Sequence, residues 1–188
     1  MSTSLADQLV AGFERPDRLG IPVLFRYLRD SDDLQALTEL LHRAYAPLAA
    51  AGMRFVASFQ DVEVTRQRVS GGETIVGIDA GRIIATITVK PPAATKGSAF
   101  YDQPDVAGVG QFAVAPGHQH RSIGTMLGRV VEKRAQELGA RYLALDTSER
   151  ATHLIALYEA HGFRQVETVQ WEGLNYRSVV MAKLLGPA

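Results

Sequence analysis

The sequence predicts a mixed α/β domain of the α+β kind, with helices packed on a mostly antiparallel sheet. Three observations predict it. ETIVGID (73–79) and RIIATITVK (82–90) are alternating, β-branched runs joined by Ala80–Gly81, the signature of a hairpin. From residue 106 onward, strand-like apolar runs alternate with segments of helical periodicity. The 188 residues are 46% hydrophobic and 21% charged, a globular mix that excludes a disordered chain.

Taken in order, residues 1–20 read as an N-terminal arm. LADQLVAGF (5–13) suits a short helix, but Pro16 and Gly20 punctuate the residues after it. Residues 21–188 read as a single domain, close to the usual domain size. VLFRYL (23–28) is strand-like, and Asp30 or Ser31 can cap the next helix, on which Leu34, Leu37, Leu41, Ala44, Tyr45 and Leu48 recur at helical spacing. Pro47 is expected to bend or end that helix. Residues 49–59 read as a loop, residues near 60–70 as a short helix stopped at Gly71–Gly72, and residues 93–106 as irregular.

VAGVGQFAV (106–114) is the next strand. On residues 123–138, Ile123, Met126, Leu127, Val130, Val131, Ala135 and Leu138 share one helical face, and Gly139 stops the helix. RYLALD (141–146), FRQVETV (163–169) and YRSVVMAKLL (176–185) read as strands, with a helix at 150–161 ended by Gly162.

Composition narrows the function. Twenty basic and twenty acidic residues leave no net charge, so a nucleic-acid partner is not expected. The chain has no cysteine, which excludes disulfides, thiolate metal sites and a cysteine nucleophile. No run approaches the ~18 consecutive apolar residues of a membrane span, and the N-terminus lacks a secretory pattern, so a cytoplasmic location is expected.

The stretch that carries chemistry is VAPGHQHRSIGTML (114–127), in which a strand enters a polar turn and then an amphipathic helix. The first helical turn presents N–H groups without partners and a partial positive charge. Small residues such as Ser122 and Gly124 admit an anion, and Gln119, Arg121 and Thr125 can add donors. The alternative is that Gly124 serves packing and Ser122 is an ordinary cap. His118 and His120 form an H-x-H pair, but no third ligand is visible and a helix N-terminus repels cations, so no metal is expected.

Gln119-His120-Arg121-Ser122-Ile123-Gly124 resembles the Gln/Arg-x-x-Gly-x-Gly/Ala motif of the GNAT family of N-acetyltransferases, preceded by Val114-x-Pro116. Ser122 stands where the first glycine is usual, and His120 replaces another frequent one. ALYEAHGF (156–163) resembles the family's second signature, and the match covers residues 107–168. The resemblance implies a GNAT-like acyl-CoA acyltransferase fold and transfer of an acetyl group from acetyl-CoA to an amine. It implies that the strand before the loop splays from its neighbour, with pantetheine pairing along Phe112, Ala113 and Val114. Pyrophosphate would sit on the N–H groups of His120, Arg121, Ser122, Ile123, Gly124 and Thr125. It also implies that Tyr158 stands near the thioester sulfur and protonates the leaving thiolate.

The base is less legible. Some family members carry a Glu on the strand before the loop, where this chain has Gln111. Asp146, Asp61 and Glu63 are candidates, each also readable as a cap or solvated charge. Thr147 and Ser148 stand near where the family often has an Asn. Tyr45, Phe55, Phe59, Trp171 and Tyr176 lie in two connections that flank the acceptor site of the resembled fold, where they line a pocket or pack as core. The expected activity is N-acetylation of a small-molecule primary amine within a ternary complex. The alternatives are a non-catalytic acetyl-CoA-binding module and an acetyltransferase acting on protein lysines or N-termini. A homodimer is left open.

Overall fold

The computed structural model describes residues 4–186. Eight strands form one sheet: β1 (Phe13–Pro16), β2 (Pro22–Tyr27), β3 (Glu73–Asp79), β4 (Arg82–Lys90), β5 (Val106–Val114), β6 (Tyr142–Ser148), β7 (Arg164–Val169) and β8 (Ser178–Leu184). Their spatial order is β1-β2-β3-β4-β5-β6-β8-β7. Every pairing is antiparallel except β5 with β6. Five helices flank the sheet: α1 (Leu5–Ala11), α2 (Leu34–Ala50), α3 (Val62–Ser70), α4 (Ile123–Glu137) and α5 (Thr152–Ala160). From residue 22 the element order is the one the periodicities predict. No helix among the described residues is long and apolar enough to cross a membrane.

Local chemistry explains the elements. Ala80 and Gly81 both take positive φ, 47° and 74°, the backbone twist a two-residue hairpin turn needs between β3 and β4. On α4, Ile123, Leu127, Val131 and Ala135 recur every four residues and are fully buried against the sheet. Each large aliphatic of that row contributes about 1.5–3 kcal/mol by leaving water. Gly139 and Gly162 end their helical segments at φ 82° and 90°, conformations that disfavour a side chain. The main core lies on the face covered by α1 and α4, with Ile155 and Tyr158 of α5 packed against it. A second cluster lies under α2 and α3.

The structure adds detail at two places. Pro47 does not end α2, which runs on to Ala50. Buried Leu37, Leu40, Leu41 and Leu48 hold the helix down, and proline removes only one N–H from its ladder. The described part of the N-terminal segment packs on the sheet. Ser4 caps α1 by accepting from Asp7 N at 3.1 Å, and Leu5 and Leu9 are buried in the main core. β1 then pairs with β2, Phe13 opposite Phe25. The four residues of β1, which end in Pro16 and are mostly exposed, carry little signal of their own, and the strand they pair with lies on the far side of Gly20. Residues 1–3 of that segment lie outside the described residues.

Candidate active site

The site begins where two parallel strands part. β5 pairs with β6 only over Val106–Gly108 against Tyr142–Ala144, although both strands run on. On its other side β5 shifts register against β4 between Thr86 and Thr88. The extra residue is accommodated at Gln111, whose φ is 51°. Its side chain is buried and neither amide atom has a hydrogen-bond partner. A buried amide in that state costs about 1–3 kcal/mol until something satisfies it.

The polar loop comes next. His120 and Ser122 both have positive φ, 61° and 66°, which is the physical reason glycine is usual at those places in the resembled motif. Ser122 precedes α4 in this left-handed conformation and makes no side-chain capping bond, so it is not an ordinary cap. The first amide of the region returned to a carbonyl is that of Met126, to Ser122 O at 3.0 Å. The N–H groups of Ile123, Gly124 and Thr125 precede it and are free for an anion.

Side chains in this loop do not all behave as expected. The Arg121 guanidinium is not turned out as a donor: its Nε–H is donated to the Asp17 carboxylate, and Asp79 lies 3.8 Å from its Nη2. The Gln119 side chain folds back to donate to Val114 O at 3.2 Å. A Cβ on Gly124 would meet Phe112 Cζ at 3.5 Å and Val114 Cγ2 at 3.6 Å, ordinary contact distances, so packing of α4 on β5 does not by itself require a glycine here. His118 Nε2 lies 3.3 Å from Asp79 Oδ2 and His120 is exposed. No cluster of three metal-ligating side chains occurs among the described residues.

Aromatic side chains gather beyond the strand ends. Tyr45 donates to Phe112 O at 3.1 Å and packs on Phe55 at 5.5 Å between centroids, and Phe55 packs on Tyr176 at 5.0 Å. Tyr101 and Trp171 lie 6.3 Å apart, and both donate to Asp146, at 3.5 and 3.0 Å. Tyr158 stands edge-on to Phe163 at 6.0 Å, and its hydroxyl has no partner among the described residues. Burial pushes its phenol well above the ordinary tyrosine value, with Tyr45 and Asp146 adding to the shift. Burial likewise pushes Tyr45 up to about 12. Both hydroxyls are therefore proton donors at neutral pH.

The carboxylate candidates separate cleanly. Asp61 caps α3 by accepting from Val64 N, and Glu63 is exposed and pairs with Arg66 at 3.3 Å. Asp146 alone joins the tyrosines. Phe59 does not join them: it is 46% exposed with Arg54 stacked over it at 4.4 Å. Thr147 is buried with its hydroxyl unpartnered, and Ser148 accepts from Arg150 N at 3.2 Å. Sequence reasoning missed Tyr101, in a stretch read only as irregular, and Asp17, in the segment read as an arm.

The Acetyltransferase (GNAT) family model matches residues 34–163. The chain belongs to the GNAT acetyltransferase family. It is thus an N-acetyltransferase, in a family whose donor is acetyl-CoA. This GNAT chain is 32% identical over 136 residues to S-(2-succino)cysteine N-acetyltransferase of Bacillus subtilis (strain 168), covering 70% of this chain and 78% of that one. Solved structures share the fold. The GNAT domain of S. lividans PAT superposes with a TM-score of 0.69 at 19% identity, over 93% of this chain and 97% of that one. The ribosomal-protein-S18-alanine N-acetyltransferase from Escherichia coli gives 0.63 at 18%, over 88% and 96%. A GNAT family acetyltransferase from Elizabethkingia anophelis with acetyl-CoA bound gives 0.62 at 17%, over 87% and 98%.

Proposed function

We propose that this acetyltransferase transfers the acetyl group of acetyl-CoA to the primary amine of a small molecule, by direct attack within a ternary complex. The single observation that carries the reading is the Tyr158 hydroxyl, a donor with no partner among the described residues, on a side chain packed against the core face shared by β5 and β6. The relative that acts on S-(2-succino)cysteine supports a small acceptor and makes that amine the first to try.

The residues present fit the donor. Backbone amides from His120, Arg121, Ser122, Ile123, Gly124 and Thr125 hold the pyrophosphate, with Gln119 and Arg121 shaping the loop through their contacts to Val114 and Asp17. Phe112, Ala113 and Val114 line the pantetheine path along the unpaired edge of β5. When bound, the donor supplies an activated thioester. Tyr158 gives its proton to the departing sulfur. Asp146 orients the acceptor's amine, which attacks in its neutral form and then gives up a proton to that carboxylate, directly or through water. The chain has no cysteine, so no enzyme-bound thioester forms.

The test is an amine panel assayed with acetyl-CoA, following CoA release and the acetylated product together. Stoichiometric product from a small amine meets the expectation. CoA release without product, or acetylation of protein substrates alone, overturns it.

A further inference from the structure

Among the Lys and Arg residues, six are shielded from solvent: Arg26, Arg68, Lys90, Arg121, Arg134 and Lys183. Four of them are ion-paired, to Asp32, Asp17, Glu73 and Glu132. Arg68 and Lys90 are not paired to any described residue. Arg68 Nε is fully buried with no hydrogen-bond partner. A Cβ on Gly71, just past the end of α3, would lie 4.0 Å from Lys90 Cε, so the lysine stem runs over the helix end that carries Arg68. Burial, and then the positive charge of Arg68, lower the Lys90 ammonium from its ordinary value. Two like charges held together away from water are costly unless an anion covers them.

Their surroundings are those of the reaction site. The charge of Arg68 acts on Tyr45 and Tyr176, and that of Asp146 acts on Lys90, Tyr45, Tyr176 and Tyr158. Lys90 of β4 stands opposite Gly108 of β5, and Gly108 opposite Ala144 of β6, so Lys90 shares a sheet face with Asp146, two residues beyond Ala144. We infer that Arg68 and Lys90 form an anion pocket for a carboxylate of the acceptor, which is a carboxylate-bearing primary amine with its amino group directed to Asp146. The planar guanidinium suits a carboxylate by two parallel hydrogen bonds, and the ammonium adds a point charge. This inference rests on the proposed transfer to a small amine.

The experiment pairs transfer with binding. Amino acids and their carboxamides are compared as acceptors, and succinate binding is measured by calorimetry in the presence of CoA. Wild-type protein is expected to favour the carboxylate member of a pair about 10–100-fold in kcat/KM. Arg68→Met and Lys90→Met should each erase most of that preference through KM, affect the carboxamide far less than the carboxylate member, and abolish succinate binding. Neither substitution removes a partner among the described residues, so the melting temperature should hold or rise. Arg68→Lys keeps the charge without the fork and should retain part of the preference. Equal use of both members, no succinate binding, or an equal loss on both members in the variants overturns the pocket. Succinate binding that depends on Arg68 and Lys90, with no amine acetylated, supports the pocket and overturns the transfer reading instead.

Discussion

Arg121, in the loop before α4, donates its Nε–H to the carboxylate of Asp17, 104 residues earlier in the chain. Arg18 N returns the contact by donating to Arg121 O at 3.0 Å. Asp17 also accepts from Leu19 N at 2.8 Å and Ile21 N at 3.0 Å, so one buried carboxylate fixes both segments. The N-terminal segment thereby holds the anion loop from outside. Asp17→Ala is expected to raise the acetyl-CoA Kd several-fold and to lower the melting temperature. Calorimetric titration of a folded variant checks it, and unchanged affinity would remove Asp17 from this positioning role.

Ser122 is the next test of the loop. It holds a left-handed φ of 66° without a capping bond, a conformation that costs roughly 1 kcal/mol for a residue other than glycine. Ser122→Gly should therefore stabilise the protein by up to about 1 kcal/mol and leave donor affinity intact. Ser122→Val, β-branched at the same φ, should lose both stability and acetyl-CoA binding. Denaturant unfolding and titration of the two variants give the comparison.

Tyr158→Phe removes a hydroxyl that bonds to nothing within the described protein. Thermal stability and donor affinity should stay as they are. Turnover should fall by ~10²–10⁴, the range for a positioned acid. A variant with full turnover under chemistry-limited conditions would sink the assignment.

The raised phenols set the pH profile. Burial holds the Tyr158 proton on above the ordinary value of 10.0, so no alkaline fall in kcat is expected below about pH 10. On the rising limb, kcat/KM should track the acceptor's own amine titration, near 8 for an α-amine. Two acceptors of different amine pKa separate the cases. An inflection shared by both would show instead that an enzyme group limits the rate, and Asp146→Asn would then move or remove it.

Acid stability has its own source. The Arg26 guanidinium holds Asp32 below its ordinary 3.8, and Arg134 holds Glu73 below its ordinary 4.5. Both folded values are depressed, so their stabilisation is complete above the unfolded values and lost as pH falls through the folded ones. Melting temperatures should be flat near neutrality and drop below about pH 4.5. Asp32→Ala strands Arg26, which is only 8% exposed, and should cost about 3–5 kcal/mol. A loss below 1 kcal/mol in chemical denaturation would show the pair to be dispensable.

Much of the scaffold is legible because its signals are local. The Ala80–Gly81 hairpin, the apolar row of α4 and the glycine stops at Gly139 and Gly162 depend on residues adjacent in sequence. The two signature segments, around Gln119–Gly124 and Tyr158, are equally contiguous. The end of α2 is not legible, because Pro47 is a local breaker overruled by four leucines packing at a distance. Asp17, Tyr101, Arg68 and Lys90 give no local sign, since a lone charge or aromatic reads the same whether exposed or enclosed.

The sequence by itself determined the element order from residue 22, the mixed sheet, the strand–loop–helix segment proposed to take the pyrophosphate, and the two signature segments. The tertiary structure alone decided which charges are paired. It tied Arg121 to Asp17, assigned Asp61 to a cap and Glu63 to the surface, and left Arg68 and Lys90 without an ion-pair partner among the described residues. Backbone periodicity is a property of neighbours along the chain. Burial, pairing and pKa are set by neighbours in space, and here those come from elements more than a hundred residues apart.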